Sequence, residues 1–145
     1  MTRTKKYPET KTFHYYNANP HGRITGDCTT RALSVATGVP YNDVVMELAR
    51  LQCETGYEGH AKEGYSKYLE SLGWVKHKQP RKSNGKKYTG KEFCKKLFPS
   101  ICTDGGRVFA KIGGHHVVAI VDGKVWDIWD STDGCIGNYW TRGLA

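Results

Sequence analysis

The chain has 145 residues and a formal net charge of +8, and 38% of its residues are hydrophobic and 12% aromatic. This size fits one domain with a buried core, and the aromatic content excludes a disordered chain. No apolar run approaches the roughly 20 residues that span a bilayer, and the basic N-terminal stretch lacks the apolar segment of a secretory signal. The sequence therefore predicts a cytoplasmic protein that does not contact a membrane.

The cysteines give no sign of a disulfide framework or of a metal site. There are five, at irregular spacing: Cys28, Cys53, Cys94, Cys102 and Cys135. An odd number of cysteines in a chain without a leader favours free thiols. The gaps from Cys53 to His60 and from Cys94 to Cys102 are wider than the spacing of about two to four residues in structural zinc pairs. We therefore expect neither a metal nor another cofactor.

The chain divides into an arm and a body. Residues 1–24 are expected to form an extended N-terminal arm, which Tyr15 and Tyr16 can pin to the rest of the protein. Residues 25–145 are expected to form a single domain, because they contain no internal repeat and no linker-like stretch between two apolar regions.

Four helices are predicted in the first two thirds of the chain. The first begins after Asp27, a plausible N-cap, and stops at Gly38. Its apolar residues follow at helical spacing: Ala32, Leu33, Val35 and Ala36. The same spacing predicts further helices over 41–52, 62–72 and 90–98, the last capped by Thr89. Cys28 therefore occupies the first position of the first helix.

The last third of the chain has the pattern of an antiparallel sheet. Three β-branched and aromatic runs occupy 107–112, 115–121 and 124–130. Asp122 and Gly123 separate the last two, and this dipeptide between apolar runs is a strong hairpin signal. Residues 134–140 are expected to add a short edge strand. Helices followed by an antiparallel sheet define an α+β fold.

Most of the positive charge lies in residues 76–96, which contain nine Lys or Arg residues and the single acid Glu92. Pro80, Gly85 and Gly90 interrupt this segment, so it is predicted to be a polar loop. Charge runs of this kind usually face solvent. The alternative is a surface that contacts nucleic acid or an acidic protein.

Cys28 is the best candidate for a nucleophile. The free N–H groups and the positive end of the helix dipole at a helix N-terminus both stabilise a thiolate, which is the reactive form of cysteine. The same N–H groups can bind the oxyanion of a tetrahedral intermediate. The competing interpretation is a small buried cysteine that packs under the helix.

A cysteine nucleophile requires a base, and the base requires an orienting group. The hairpin offers candidates for both. With a two-residue turn, His115 faces Asp130 directly, whereas His116 lies diagonally opposite Asp127 on the other face of the sheet. A one-residue bulge would instead bring His116 to Asp130. The arithmetic of the hairpin leaves both pairings open.

The motifs GDCTTRALSVATG, HVVAIVDG and WDIWDST, taken in this order, resemble the papain-like cysteine peptidase superfamily. They are similar to its compact members, the bacteriocin leader peptidases, and to small phage and prophage proteins with a G-D-C helix and a W-D strand. The resemblance covers residues 20–140. It implies a papain-like α+β fold, in which N-terminal helices pack on a C-terminal antiparallel sheet. The nucleophile is expected at the N-terminus of one of these helices.

The resemblance implies Cys28 as the nucleophile and His116 as the general base, because the family's histidine directly precedes the apolar run. It implies Asp130 as the orienting residue, with Asp127 in reserve. One feature departs from the family, which usually has a glutamine before the cysteine to complete the oxyanion hole. No glutamine lies between Tyr15 and Cys28, so an asparagine, Asn17 or Asn19, or the Cys28 backbone N–H would have to replace it.

The expected function is that of a cysteine hydrolase that cleaves an amide or isopeptide bond in a peptide or protein through an acyl-enzyme. Acyl transfer to an amine is a weaker variant. The alternative is a degenerate binding module that contacts nucleic acid or an acidic host protein through residues 76–96. If a phage encodes the chain, the expected location is the host cytoplasm.

Overall fold

The computed structural model describes residues 7–101 and 104–142, so Cys102 lies outside the described residues. The described residues form an α+β fold of four helices and one six-stranded mixed sheet. The helices are α1 (Cys28–Thr37), α2 (Tyr41–Thr55), α3 (Lys62–Ser71) and α4 (Gly90–Glu92), which continues through a π turn (Phe93–Leu97) and a 3-10 turn (Phe98–Ser100). In sheet order the strands are β1 (Phe13–Tyr15), β5 (Lys124–Asp127), β4 (His116–Val121), β3 (Arg107–Ile112), β6 (Ile136–Arg142) and β2 (Trp74–His77).

The first helix forms where its sequence predicts, and Cys28 is its first residue. It ends at Gly38, whose positive φ of 79° allows the left-handed turn that closes the last hydrogen bonds. Asp27 holds the N-cap position, but its side chain makes no capping hydrogen bond. Asp27 is therefore the N-cap residue that the sequence predicts, but its carboxylate is bound by other partners and does not cap the helix.

The β4–β5 hairpin has the two-residue turn that its sequence predicts. Asp122 and Gly123 have positive φ angles of 50° and 81°, as a type I′ turn requires. The strands pair in the expected register, for example Val121 with Lys124 and Ala119 with Trp126. The register matters for function because it decides which carboxylate approaches His116.

Three elements differ from expectation. Part of the predicted arm is strand β1, which pairs in parallel with β5 and buries Phe13 completely. Strand β2 is not predicted by the sequence pattern, because four residues are too few to show a clear alternation. Strand β6 begins and ends two residues later than expected, and it is an interior strand rather than an edge, since it pairs with both β3 and β2.

The sheet separates two apolar cores. Helices α1, α2 and α3 cover one face and α4 covers the other. The first core contains Leu33, Val44, Leu69, Phe109 and Trp140, and the second contains Phe13, Phe93, Ile112, Val118 and Val125. Successive side chains of β3 and β4 point alternately into the two cores, because neighbouring residues of a strand project from opposite faces of the sheet. Among the described residues, no helix is long and apolar enough to cross a membrane.

Burial of Phe13 provides a test of strand β1. We expect Phe13→Ala to lower the free energy of unfolding by about 3–5 kcal/mol, because a fully buried ring is lost from the second core. Urea denaturation measures the change. The control is Tyr57→Ala, whose side chain is 44% exposed, and it should change the free energy by less than about 0.5 kcal/mol. A Phe13 variant as stable as the wild type would contradict the placement of β1 in the core.

Candidate active site

The structure brings Cys28 and His116 together. Cys28 opens α1, His116 opens β4, and α1 packs against β4 through their apolar faces. The Cys28 thiol and the His116 imidazole interact, and each shifts the pKa of the other. On its other side, His116 Nε2 lies 2.6 Å from Asp127 Oδ2. Because Nε2 is engaged with this carboxylate, Nδ1 is the ring nitrogen that remains for the thiol.

The register of the hairpin explains why Asp127 reaches His116. In the β4–β5 ladder, Ala119 pairs with Trp126, so one step further Val118 lies opposite Asp127. His116 is two residues before Val118 and therefore projects from the same face, diagonally opposite Asp127. No bulge interrupts this pairing.

Asp130 does not take part in this arrangement. Its Oδ1 accepts hydrogen bonds from the backbone N–H of Thr132 at 3.0 Å and from the Thr132 hydroxyl at 2.6 Å. Strand β5 ends at Asp127, so the chain has left the sheet by residue 130. The position beside the imidazole that the family resemblance implied for Asp130 is occupied by Asp127. His115 is exposed and does not join the pair.

Arg31 is a part of the site that the sequence analysis missed. Its side chain is only 6% exposed, and its guanidinium binds Asp27 Oδ1 through Nε at 2.8 Å and Asp127 Oδ1 through Nη1. Asp127 therefore shares its two oxygens between a guanidinium and an imidazole. The signal in the sequence was an arginine within the apolar stretch of the first helix, four residues after Asp27.

The N-terminal turn of α1 remains available to an oxyanion. Asp27 does not cap it, because its carboxylate accepts hydrogen bonds from Arg31, from Asn19 Nδ2 at 3.0 Å and from the Tyr41 hydroxyl at 2.6 Å. Asn17 Nδ2 donates to the Arg23 carbonyl. Both asparagine amides proposed for the oxyanion hole are therefore engaged within the N-terminal segment. The Cys28 N–H, one of the unpaired donors at a helix start, is the remaining donor.

The two reacting groups shift each other's ionisation. Burial alone would raise the pKa of the Cys28 thiol, but the hydrogen bond and charge of His116, with help from the Val117 backbone and Thr29, lower it overall. Burial alone would lower the pKa of His116, but Asp127 and Cys28 raise it to about 9. Both shifts favour a thiolate–imidazolium pair at neutral pH.

Cys94 provides an internal contrast. It is buried in the second core, and this burial raises the pKa of its thiol to about 12. No cation compensates for the burial as His116 does for Cys28. Cys53 and Cys135 are exposed free thiols. Position beside the imidazole, rather than burial, therefore distinguishes Cys28 from the other described cysteines.

Trp129 lies over the imidazole. Its ring centroid is 5.0 Å from that of His116, with the two planes tilted by 39°. Trp129 is 40% exposed, whereas Trp74 and Trp140 are buried in the core.

Two open cavities run along the start of α1. One, of about 270 Å³, lies between the 26–30 segment and helix α2. The other, of about 180 Å³, lies between α1, α3 and the ends of β3 and β4. The two cavities share Thr29 and His60. The two cavities therefore adjoin each other at Thr29, the residue that follows Cys28.

The basic segment is partly neutralised, and its Lys76 borders the same hollow as Lys62, Tyr65 and Lys111 of the smaller cavity. Lys82 Nζ lies 2.5 Å from Glu92, and Lys91 Nζ lies 2.9 Å from Asp133. Arg81 donates to the Gly85 carbonyl and to Gln79. Within residues 7–101 and 104–142, no three His, Cys, Asp or Glu side chains cluster as a metal site would require.

Comparisons with protein-family models, with curated proteins and with solved structures found no match for this chain. Function is therefore inferred from the geometry of the Cys28, His116 and Asp127 side chains and from their electrostatics.

The ionisation of Cys28 can be tested by alkylation. We expect the rate of iodoacetamide labelling at Cys28 to rise with pH around a pKa below the usual thiol value of about 8.5. In His116→Ala this pKa should move above that value, because burial is then uncompensated. Peptide mass spectrometry measures both rates, and Cys94 in the folded protein should stay unlabelled. Equal titration of Cys28 in both proteins would contradict the ion pair.

The role of Arg31 can be tested by its stability effect. We expect Arg31→Met to lower the free energy of unfolding by about 3–5 kcal/mol, because it leaves the buried Asp127 carboxylate without its strongest partner. The matched control is Arg50→Met. Arg50 also binds two carboxylates, Glu47 and Glu54, but it is 53% exposed, and exposed pairs contribute at most about 1 kcal/mol. Similar losses in both variants would refute a special role for Arg31.

Proposed function

We propose that this protein is a cysteine hydrolase with a papain-like arrangement, which cleaves an amide or isopeptide bond through an acyl-enzyme. The observation that carries the proposal is the alignment of three side chains. A thiol at a helix N-terminus interacts with an imidazole whose Nε2 lies 2.6 Å from a buried carboxylate. This geometry activates a nucleophile and orients its base.

The proposed reaction follows from these positions. The Cys28 thiolate attacks the carbonyl carbon of the amide, forming a C–S bond, and the oxyanion is stabilised by the Cys28 N–H. His116 then gives its proton to the leaving amine as the C–N bond breaks. Water, deprotonated by His116, attacks the thioester, which releases the carboxylic acid and restores the thiol. Asp127 keeps the ring oriented and stabilises the imidazolium throughout.

The topology supports a papain-like rather than a generic thiol site. The order along the chain is cysteine, histidine and then acid, with the cysteine at the start of a helix and the other two on adjacent strands. The glutamine of the family is missing, and the N–H groups at the start of α1 take its place. The Trp129 ring packs beside the His116 imidazole, with the ring centroids 5.0 Å apart.

The alternative, a binding module that uses residues 76–96, gains less support. Lys82 and Lys91 already bind acids of the same protein, which reduces the field that a nucleic acid would meet. A degenerate site would also have no need of an imidazole held between a thiol and a buried carboxylate.

Activity can be tested with a library of fluorogenic peptide amides. We expect wild-type protein to release the fluorophore and Cys28→Ala to lose at least about 10³-fold in rate, because the nucleophile is removed. Cys94→Ala serves as the control cysteine, and folding of each variant is checked by circular dichroism. Full activity in Cys28→Ala would refute the proposed function.

The assignment of the acid can be tested on any substrate found in this way. We expect Asp127→Asn to lower kcat by about 10²- to 10⁴-fold, because the imidazole loses the carboxylate that orients it and stabilises its charge. Asp130→Asn should stay within about threefold of the wild type, since general acid–base effects require contact with the base. The reverse ranking would restore Asp130 as the orienting residue.

A further inference from the structure

The smaller of the two cavities beside the thiol has an unusual lining. It is bordered by seven residues: Thr29, His60, Lys62, Tyr65, Lys111, His115 and Val117. Two of these are lysines, two are histidines and none is acidic. The cavity volume of about 180 Å³ equals that of about six water molecules in the liquid. A single side chain or a carboxylate group therefore fits.

The cavity lies beside two residues that interact with the Cys28 thiol. Cys28 interacts with the Thr29 side chain and with the Val117 backbone, and both of these residues also line the cavity. A group bound in the cavity is consequently next to the bond that Cys28 would attack. The cavity belongs to the substrate side of the site and not to a remote surface.

The two lysines of the cavity are not held in ion pairs, although burial and the nearby Glu63 carboxylate raise the pKa of Tyr65, which also lines the cavity. Lys62 and Lys111 form no ion pair among the described residues, in contrast to Lys82 and Lys91. Glu58 lies 4.0 Å from His60 but does not line the cavity.

The backbone adds to the positive potential. Helices α1 and α3, each of ten residues, begin at or next to residues that border the cavity. The positive ends of their dipoles therefore lie nearby. Lys111 comes from the neighbouring strand β3, where it pairs directly with Val117. Charges from three separate elements thus converge on one small space.

We propose that this cavity binds a carboxylate of the substrate, so that the protein cleaves amide bonds adjacent to an acidic residue. This inference rests on the proposed hydrolase function and names its substrate class. Lys62 and Lys111 are the residues that select the acid. The contribution of each lysine is a Coulomb attraction to an anion held close to the thiol.

The test uses two small alkylating agents and needs no known substrate. Iodoacetate is an anion and iodoacetamide is its neutral analogue, and both alkylate a thiolate with loss of iodide. Their rate ratio at Cys28, measured by peptide mass spectrometry, reports attraction of a carboxylate to the site. Normalisation to iodoacetamide removes any change in the reactivity of the thiol itself.

We expect the double variant Lys62→Met with Lys111→Met to lower the iodoacetate-to-iodoacetamide ratio about three- to tenfold. Lys62→Arg with Lys111→Arg should keep the wild-type ratio, because the charge is retained. Lys67→Met is the matched control. Lys67 is an exposed lysine on the same helix that does not line the cavity, so its loss should leave the ratio unchanged.

The outcomes separate this inference from the proposed function. If Cys28 reacts rapidly with both reagents but the double variant keeps the wild-type ratio, the carboxylate site is refuted and the hydrolase proposal stands. If Lys67→Met lowers the ratio as much as the double variant, the effect is one of net charge and the site is again refuted. If Cys28 reacts no faster than the exposed Cys53, both proposals fail together.

Discussion

The carboxylate of Asp127 lies in the protein interior between two cations. One oxygen accepts hydrogen bonds from the Arg31 guanidinium and from the Ile128 N–H, and the other accepts from the His116 imidazole. A carboxylate that is 3% exposed would be very costly to bury without such partners. The contact joins helix α1 to the β4–β5 hairpin, so the same interaction that satisfies the charge also holds Cys28 beside His116.

Acidic and basic side chains alternate along the site, from Asp27 in front of helix α1 to His116. The Asp27 carboxylate, the Arg31 guanidinium, the Asp127 carboxylate and the His116 imidazole follow one another through direct polar contacts, and His116 in turn interacts with the Cys28 thiol. The alternation explains why a half-buried thiol has a lowered pKa, although burial by itself acts in the other direction. It also explains why Asp27 does not cap its helix, because the carboxylate that would serve as the cap is the first member of the series.

Local signals predicted the two segments that carry the reacting groups. The first helix was predicted from its apolar spacing and from Gly38 at its end. The hairpin was predicted from Asp122 and Gly123, which readily adopt the positive φ angles of its turn. The register then follows from the two-residue turn. This register places Asp127 diagonally opposite His116, whereas the family resemblance implied Asp130 as the orienting residue.

The choice between these two acids depended on where β5 ends, and this was not visible in the sequence. Residues 124–130 look like one continuous strand, but the ladder stops at Asp127, and Asp130 turns to Thr132. Strands β1 and β2 were missed for a related reason. They contain three and four residues, and their pairing depends on partners more than 60 residues away in the chain.

The sequence by itself determined the class of fold, the placement of Cys28 at a helix start and the placement of His116 at the start of a hairpin strand. Each of these features is predicted from residues that lie close together in the sequence. Only the tertiary structure decided the partner of His116, the bridging role of Arg31 and the cationic cavity beside the thiol. Arg31 and Asp127 are 96 residues apart, and the cavity is lined from two helices and two strands. Such contacts depend on how whole elements pack, which no short stretch of sequence encodes.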